Sequence, residues 1–188
     1  MGARKESPQD CARPTAAFLN LLAECDPFLA HWYKPPKSCK NGRKHSLRPP
    51  DVPTLAEFFR RGINRERGGS AIKQLGSGAN PNSCVMPLPR KGPNADRIIT
   101  APVLASVVRS MASAWDADWA LATSWDHREL LSEEGRTGTF VGWVTSLSRR
   151  RERVPPLPAP VRIEQVEDKG RRVGELLSRV GLMQPAIP

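Results

Sequence analysis

The chain has 188 residues, 39% of them apolar, and carries 29 Lys and Arg against 19 Asp and Glu, a net charge of +10. That length suits a single domain, and no apolar run reaches the ~20 residues that a membrane-spanning helix needs. Pro (19) and Gly (14) together exceed ordinary usage, so short elements and long turns are expected, and the positive balance points to nucleic acid or an acidic protein as partner.

The first residues, Met1-Gly2-Ala3-Arg4-Lys5-Glu6, are polar and lack the apolar core of a secretory signal. Glu6 stands where a myristoylation signal wants Ser or Thr, and the expectation is a cytoplasmic protein. Ser7-Pro8-Gln9-Asp10 reads as a helix start, with Ser as N-cap and Pro at the first helical position. Pro14 lacks the N–H a helix interior needs, so the helix either kinks there or begins near Arg13. Phe18, Leu19, Leu21, Leu22 and Cys25 form its apolar face. Asp26-Pro27 then caps a short helix from Phe28 to Tyr33.

Residues 34–53 read as a basic, Pro-rich loop. Thr54 is expected to cap a helix from Leu55 to about Arg61, closed by Gly62. One helical turn is expected over Ser70 to Leu75. Residues 76–97 read as a second long loop, with Cys84-Val85-Met86-Pro87-Leu88 as its strand candidate. Thr100 and Pro102 open the clearest helix, since Val103, Leu104, Val107, Val108, Met111 and Trp115 recur at three- and four-residue spacing. Strands are expected over Trp119–Ser124, Thr139–Leu147 and Val161–Glu167, with a proline-stiffened connector at Val154–Pro158. Gly174 to Val180 reads as a closing helix with Gly181 after it. The expected fold class is α+β: helices packed on a small, mainly antiparallel sheet in one domain.

The chemistry-bearing residues point away from catalysis. Cys11, Cys25, Cys39 and Cys84 are widely spaced, and His31, His45 and His127 stand at no metal-ligand spacing from them. Reduced thiols, no metal and no cofactor are therefore expected. There is no phosphate-binding Gly loop and no Gly-x-Ser-x-Gly elbow; Gly76-Ser77-Gly78 is too short and follows no good strand. His127, between Asp126 and Arg128, reads as a surface histidine in a turn. Asp116 and Asp118 flank Ala117 between Trp115 and Trp119. Such a pair could hold Mg²⁺, but its simpler role is to end the preceding helix. Trp119 and Trp143 lie on candidate strands and read as core, while Trp125, in a polar turn, is the exposed one.

The charge is patchy. Residues 34–48 hold six basic side chains and no acid, residues 109–134 balance to −4, and residues 136–153 to +4. Within the last of these lies the most informative stretch, Phe140 to Arg151, a β-prone apolar run ending in arginines.

Taken in order, Cys25-Asp26-Pro27 with Trp32-Tyr33, Gly62-Ile63-Asn64-Arg65, Trp115-Asp-Ala-Asp-Trp119, Val141-Gly142-Trp143 with Leu147-Ser148-Arg149-Arg150, and Val166-Glu167 near Gly170 resemble the immunity protein 52 family. The resemblance runs from about residue 6 to 182. It identifies Trp32, Tyr33, Trp115, Trp119, Gly142 and Trp143 as family-motif and core positions. It implies an α+β fold, no enzyme activity, and one partner: a nuclease toxin of restriction-endonuclease-like fold from a bacterial polymorphic toxin system, which the protein binds and silences in the producing cell. Neither a membrane nor a small-molecule substrate is implied. The chain reads as a shortened copy in three places: before the first helix, after Leu75-Gly76, and after Glu167-Asp168-Lys169-Gly170, where the family continues through a further strand and a helix is expected here.

Two binding modes follow. Asp118, Trp125, Asp126 and Glu129, in the acidic stretch 116–134, could plug a basic DNA cleft. Otherwise Arg149, Arg150 and Arg151 grip an acidic face outside it. The first is preferred because Trp125 lies within the acidic stretch. The rival reading is a basic nucleic-acid-binding module using Lys34–Arg48 and Arg149–Arg153, whose affinity would fall steeply with salt.

Overall fold

The computed structural model describes residues 7–33, 51–62, 73–75, 83–89, 91–127, 141–150, 161–168 and 171–179. The chain divides into two compact units, Met1–Ala95 and Asp96–Pro188. Its class is α+β, with helices and antiparallel strands in both.

In the first unit, helix α1 (Pro8–Cys25) packs against helix α2 (Val52–Gly62) and the 3-10 turn Pro27–Ala30. Helix α1 starts where Ser7 and Asp10 cap each other: the Asp10 N–H donates to Ser7 Oγ at 3.2 Å, and the Ser7 N–H returns a bond of 3.2 Å to Asp10 Oδ2. It runs through Pro14 without ending. The face carrying Ala12, Phe18, Leu19 and Leu22, all buried, offsets the backbone bond that Pro14 cannot make. Asp26 closes α1 and caps the 3-10 turn through the Phe28 N–H, at 2.8 Å. That turn stops at Ala30, so Trp32 and Tyr33 lie beyond it rather than within a helix.

The cap of α2 is Asp51, not Thr54. Asp51 Oδ1 accepts from the Thr54 N–H at 2.7 Å, and Oδ2 accepts from the Thr54 hydroxyl at 2.8 Å. The helix therefore starts at Val52 and takes Pro53 into its first turn, where no N–H is needed. Strand β1 (Lys73–Leu75) pairs antiparallel with β2 (Ser83–Val85), Gln74 opposite Cys84. This replaces the helical turn expected over 70–75: the three residues are drawn into a ladder by a partner that lies beyond Leu75.

The segment 76–97 is also less of a loop than expected. Besides β2 it holds α3 (Pro93–Ile98), which begins with proline and buries Ala95 and Ile98 at three-residue spacing. Gly92 precedes it at φ +94°, a conformation open to glycine.

In the second unit, helix α4 (Ala101–Trp115) lies on a four-stranded antiparallel sheet of β3 (Trp119–Ala122), β4 (Val144–Ser148), β5 (Val161–Asp168) and β6 (Arg171–Arg179), in the order β3-β4-β6-β5. The register Ala120↔Ser146↔Leu176↔Glu164 places these four on one face of the sheet. Arg109 of α4 donates to Glu164 Oε2 at 2.9 Å across that face. Small residues, Ser146, Ser148 and Gly174, share a crevice there with Ala112 and Ser113 of α4, letting the helix come close.

Strand β6 overturns the helix expected over Gly174–Val180. Leu176 and Leu177 are both buried, yet adjacent strand residues point to opposite faces. A strand at the centre of a sheet can bury such a pair, and β6 sits between β4 and β5. The strand that the resemblance expects after Gly170 is therefore present. Strand β4 likewise starts at Val144, so Gly142 and Trp143 precede it rather than lie within it.

Candidate functional site

The β3–β4 pair organises most of the described site residues, and it separates them into two groups. Trp119 lies opposite Leu147 and Ala122 opposite Val144. Asp116, Asp118, Arg149 and Arg150 therefore gather at one end of the pair. Trp125, Asp126, Val141 and Trp143 leave the other end, roughly 10 Å of strand away.

The first end is built by the termination of α4. Asp116 adopts a left-handed conformation, φ 47°, and its N–H still reaches the Ala112 carbonyl. A short polar residue tolerates this geometry, so the Asp pair does end the helix. The Ser148 N–H donates to the Asp118 carbonyl at 3.0 Å, and the Arg150 N–H to Ser148 Oγ at 3.3 Å. These bonds turn Arg150 back over the helix end, where its guanidinium donates to Asp116 Oδ2. That hydrogen bond and the Asp116 charge, with a smaller contribution from Asp118, hold the Arg150 guanidinium above its usual range. Asp116 of the acidic stretch and Arg150 of the arginine run thus form an ion pair. Arg149 is exposed and Asp118 half-buried.

The second end is a short turn. Thr123 Oγ1 and His127 Nδ1 lie 2.9 Å apart, and the His127 N–H donates to Ser124 Oγ at 3.1 Å. The same end of β3 receives the chain before β4: the Trp143 N–H donates to the Ala122 carbonyl at 2.9 Å, and the Gly142 N–H to Thr145 Oγ1 at 2.9 Å. A Cβ on Gly142 would sit 2.3 Å from the Ala122 carbonyl oxygen, so the crossing requires glycine. Trp125 is 54% exposed and Val141 62%. His127 is half-buried and held from two sides, not loose on the surface.

The remaining motif residues fall elsewhere. Trp32 is half-buried in the first unit and donates its Nε1–H to the Leu29 carbonyl at 2.6 Å, while Tyr33 is exposed. Trp115, Trp119 and Trp143 are half-buried; none of them belongs to the fully enclosed core. Glu129, Arg151 and the basic run 34–48 lie outside the described residues. Among the described residues no group of three or more His, Cys, Asp or Glu could hold a metal ion, and no helix is long and apolar enough to cross a membrane.

Sequence reasoning missed the Arg109–Glu164 bridge and the role of Gly174. A Cβ there would sit 2.5 Å from the Leu147 carbonyl oxygen. The glycine between Val173 and Glu175, just ahead of the Leu176-Leu177 pair, was the available signal, because strand glycines mark close backbone approach.

The sequence has no significant match among curated proteins or solved structures. It does match the family model for immunity protein 52, in two segments, residues 1–83 and 76–186. The segments meet at 76–83, where the sequence departs from the family pattern after Leu75-Gly76. Together they span nearly the whole chain, which belongs to the immunity protein 52 family.

Proposed function

We propose that this protein binds and neutralises a cognate nuclease toxin of restriction-endonuclease-like fold, acting in the cytoplasm of the cell that produces both. The observation that carries the reading is the family match through both halves of the chain. The antiparallel β3-β4-β6-β5 sheet with helix α4 on it supports it, since the family resemblance implies an α+β fold. In this reading the protein is a stoichiometric inhibitor working as one immunity-protein-like domain. It turns over no substrate, takes no cofactor and acts by covering its target.

The test is co-expression with the cognate nuclease domain. Growth should be rescued, and purified protein at equimolar ratio should stop DNA cleavage by that domain. Cleavage that continues under excess protein would end the proposal.

The net charge of +10 favours one rival, direct nucleic-acid binding. A gel-shift titration separates the two. A phosphate-neutralising module loses affinity steeply between low and physiological salt, whereas toxin inhibition persists there without any shift of free DNA.

A further inference from the structure

We infer that the turn bearing Trp125 and Asp126, together with Val141, is the surface by which this protein holds its toxin, with Trp125 entering an apolar pocket beside a basic group of the nuclease. This rests on the immunity reading and assigns the contact face, choosing the Trp125 end of the β3–β4 pair over the arginine end.

Three observations carry it. Trp125 and Val141 are 54% and 62% exposed and emerge from the same end of one strand pair. A large aromatic more than half exposed offers the apolar area typical of an interface anchor.

The turn is also ordered before any partner arrives. Ser124 and Thr123 hold His127 on one side of Trp125, and the Trp143-to-Ala122 bond holds the approach to β4 against the end of β3. The conformational entropy of presenting the indole is thus already spent in folding, which favours binding.

Charge decides between the two ends. A nuclease that grips a phosphodiester backbone carries a basic surface, and a chain of net charge +10 is repelled by it on approach. At the opposite end Arg149 is exposed, and Arg150 is already engaged by Asp116. Among the described residues of the turn at the Trp125 end, the exposed charge is Asp126, of the sign a basic cleft attracts.

The experiment uses the full chain and the cognate nuclease domain, with binding kinetics on a surface and DNA cleavage as the second readout. Trp125→Ala should weaken binding at least about thirtyfold, mainly through faster dissociation, with the unfolding midpoint unchanged. Val141→Lys, at an exposed position outside the turn, sets a like charge against the basic surface, should weaken binding comparably, and decides the matter if Trp125→Ala disturbs folding. Arg149→Ala should stay within about threefold of the parent. If the parent binds tightly and both Trp125→Ala and Val141→Lys bind as well as it does, the assigned face is wrong while the immunity reading stands. If the parent neither binds nor inhibits the nuclease, the immunity reading itself fails.

Discussion

Arg150 donates to Asp116 across 34 residues of chain, so the arginine that follows β4 grips the aspartate that ends α4. Two segments of opposite charge, each plausible alone as a docking patch, are spent partly on each other. Both side chains remain more than half exposed, 52% and 60%, and exposed ion pairs contribute little to folding. Arg150→Ala should therefore leave the thermal midpoint essentially where it is. A double-mutant cycle with Asp116→Ala should show a coupling that fades as salt is raised. A large loss of stability, insensitive to salt, would show that the pair holds the end of α4 in place.

Gly142 and Gly174 should not tolerate a methyl group. An added Cβ would meet the Ala122 carbonyl oxygen at 2.3 Å and the Leu147 carbonyl oxygen at 2.5 Å. Both obstacles are backbone and cannot swing aside as a side chain would. Each Gly→Ala change should cost on the order of 1–3 kcal/mol, seen as a lower urea midpoint at unchanged slope. Wild-type stability at either position would mean that the strands do not approach as described.

Leu176 is 0% exposed at the centre of β6. Leu176→Ala should cost about 2–5 kcal/mol, for the lost burial and the cavity left behind. Were 174–180 the helix that its sequence pattern resembles, Leu176 and Ser178 would lie on different helix faces; in the strand they share one. Hydrogen exchange should find the amides of 174–178 protected on both strand edges and slow to exchange.

The start of α1 should be acid-sensitive. The Ser7 hydroxyl, and then its N–H, hold the Asp10 carboxyl below its usual value. A carboxyl whose folded value is the lower one stabilises the fold fully above its unfolded value, and that contribution is lost as pH falls through the folded value. The loss should appear below about pH 4. Ser7→Ala should lower stability by about 1 kcal/mol at neutral pH and flatten the acid dependence, as unfolding followed from pH 6 to pH 2 would report.

Burial pushes the Cys84 thiol up to about 11. Thiolate is the reactive form. In a variant keeping only this cysteine (Cys11→Ala, Cys25→Ala, Cys39→Ala), alkylation at pH 8 should run on the order of a hundredfold slower in the native state than in urea. Equal rates would place Cys84 in solvent and detach β2 from its shielding.

Helices α1 and α4 were legible because their signals are local: Ser7-Pro8 and Thr100 at the starts, and apolar residues at three- and four-residue spacing between. The exposure of Trp125 was legible too, from the polar turn around it. The terminal strand was not. Gly174-Glu-Leu-Leu-Ser-Arg looks helical when viewed alone, and it becomes a strand because β4 and β5 bond to both of its edges. A short window of sequence contains neither neighbour, so hydrogen bonding across the sheet overrode local preference. The same holds for charge. That acidic and arginine-rich stretches alternate can be read along the chain. Only the antiparallel pairing of β3 with β4 decided that Asp116 meets Arg150 at one end of the sheet while Trp125 and Asp126 stand at the other.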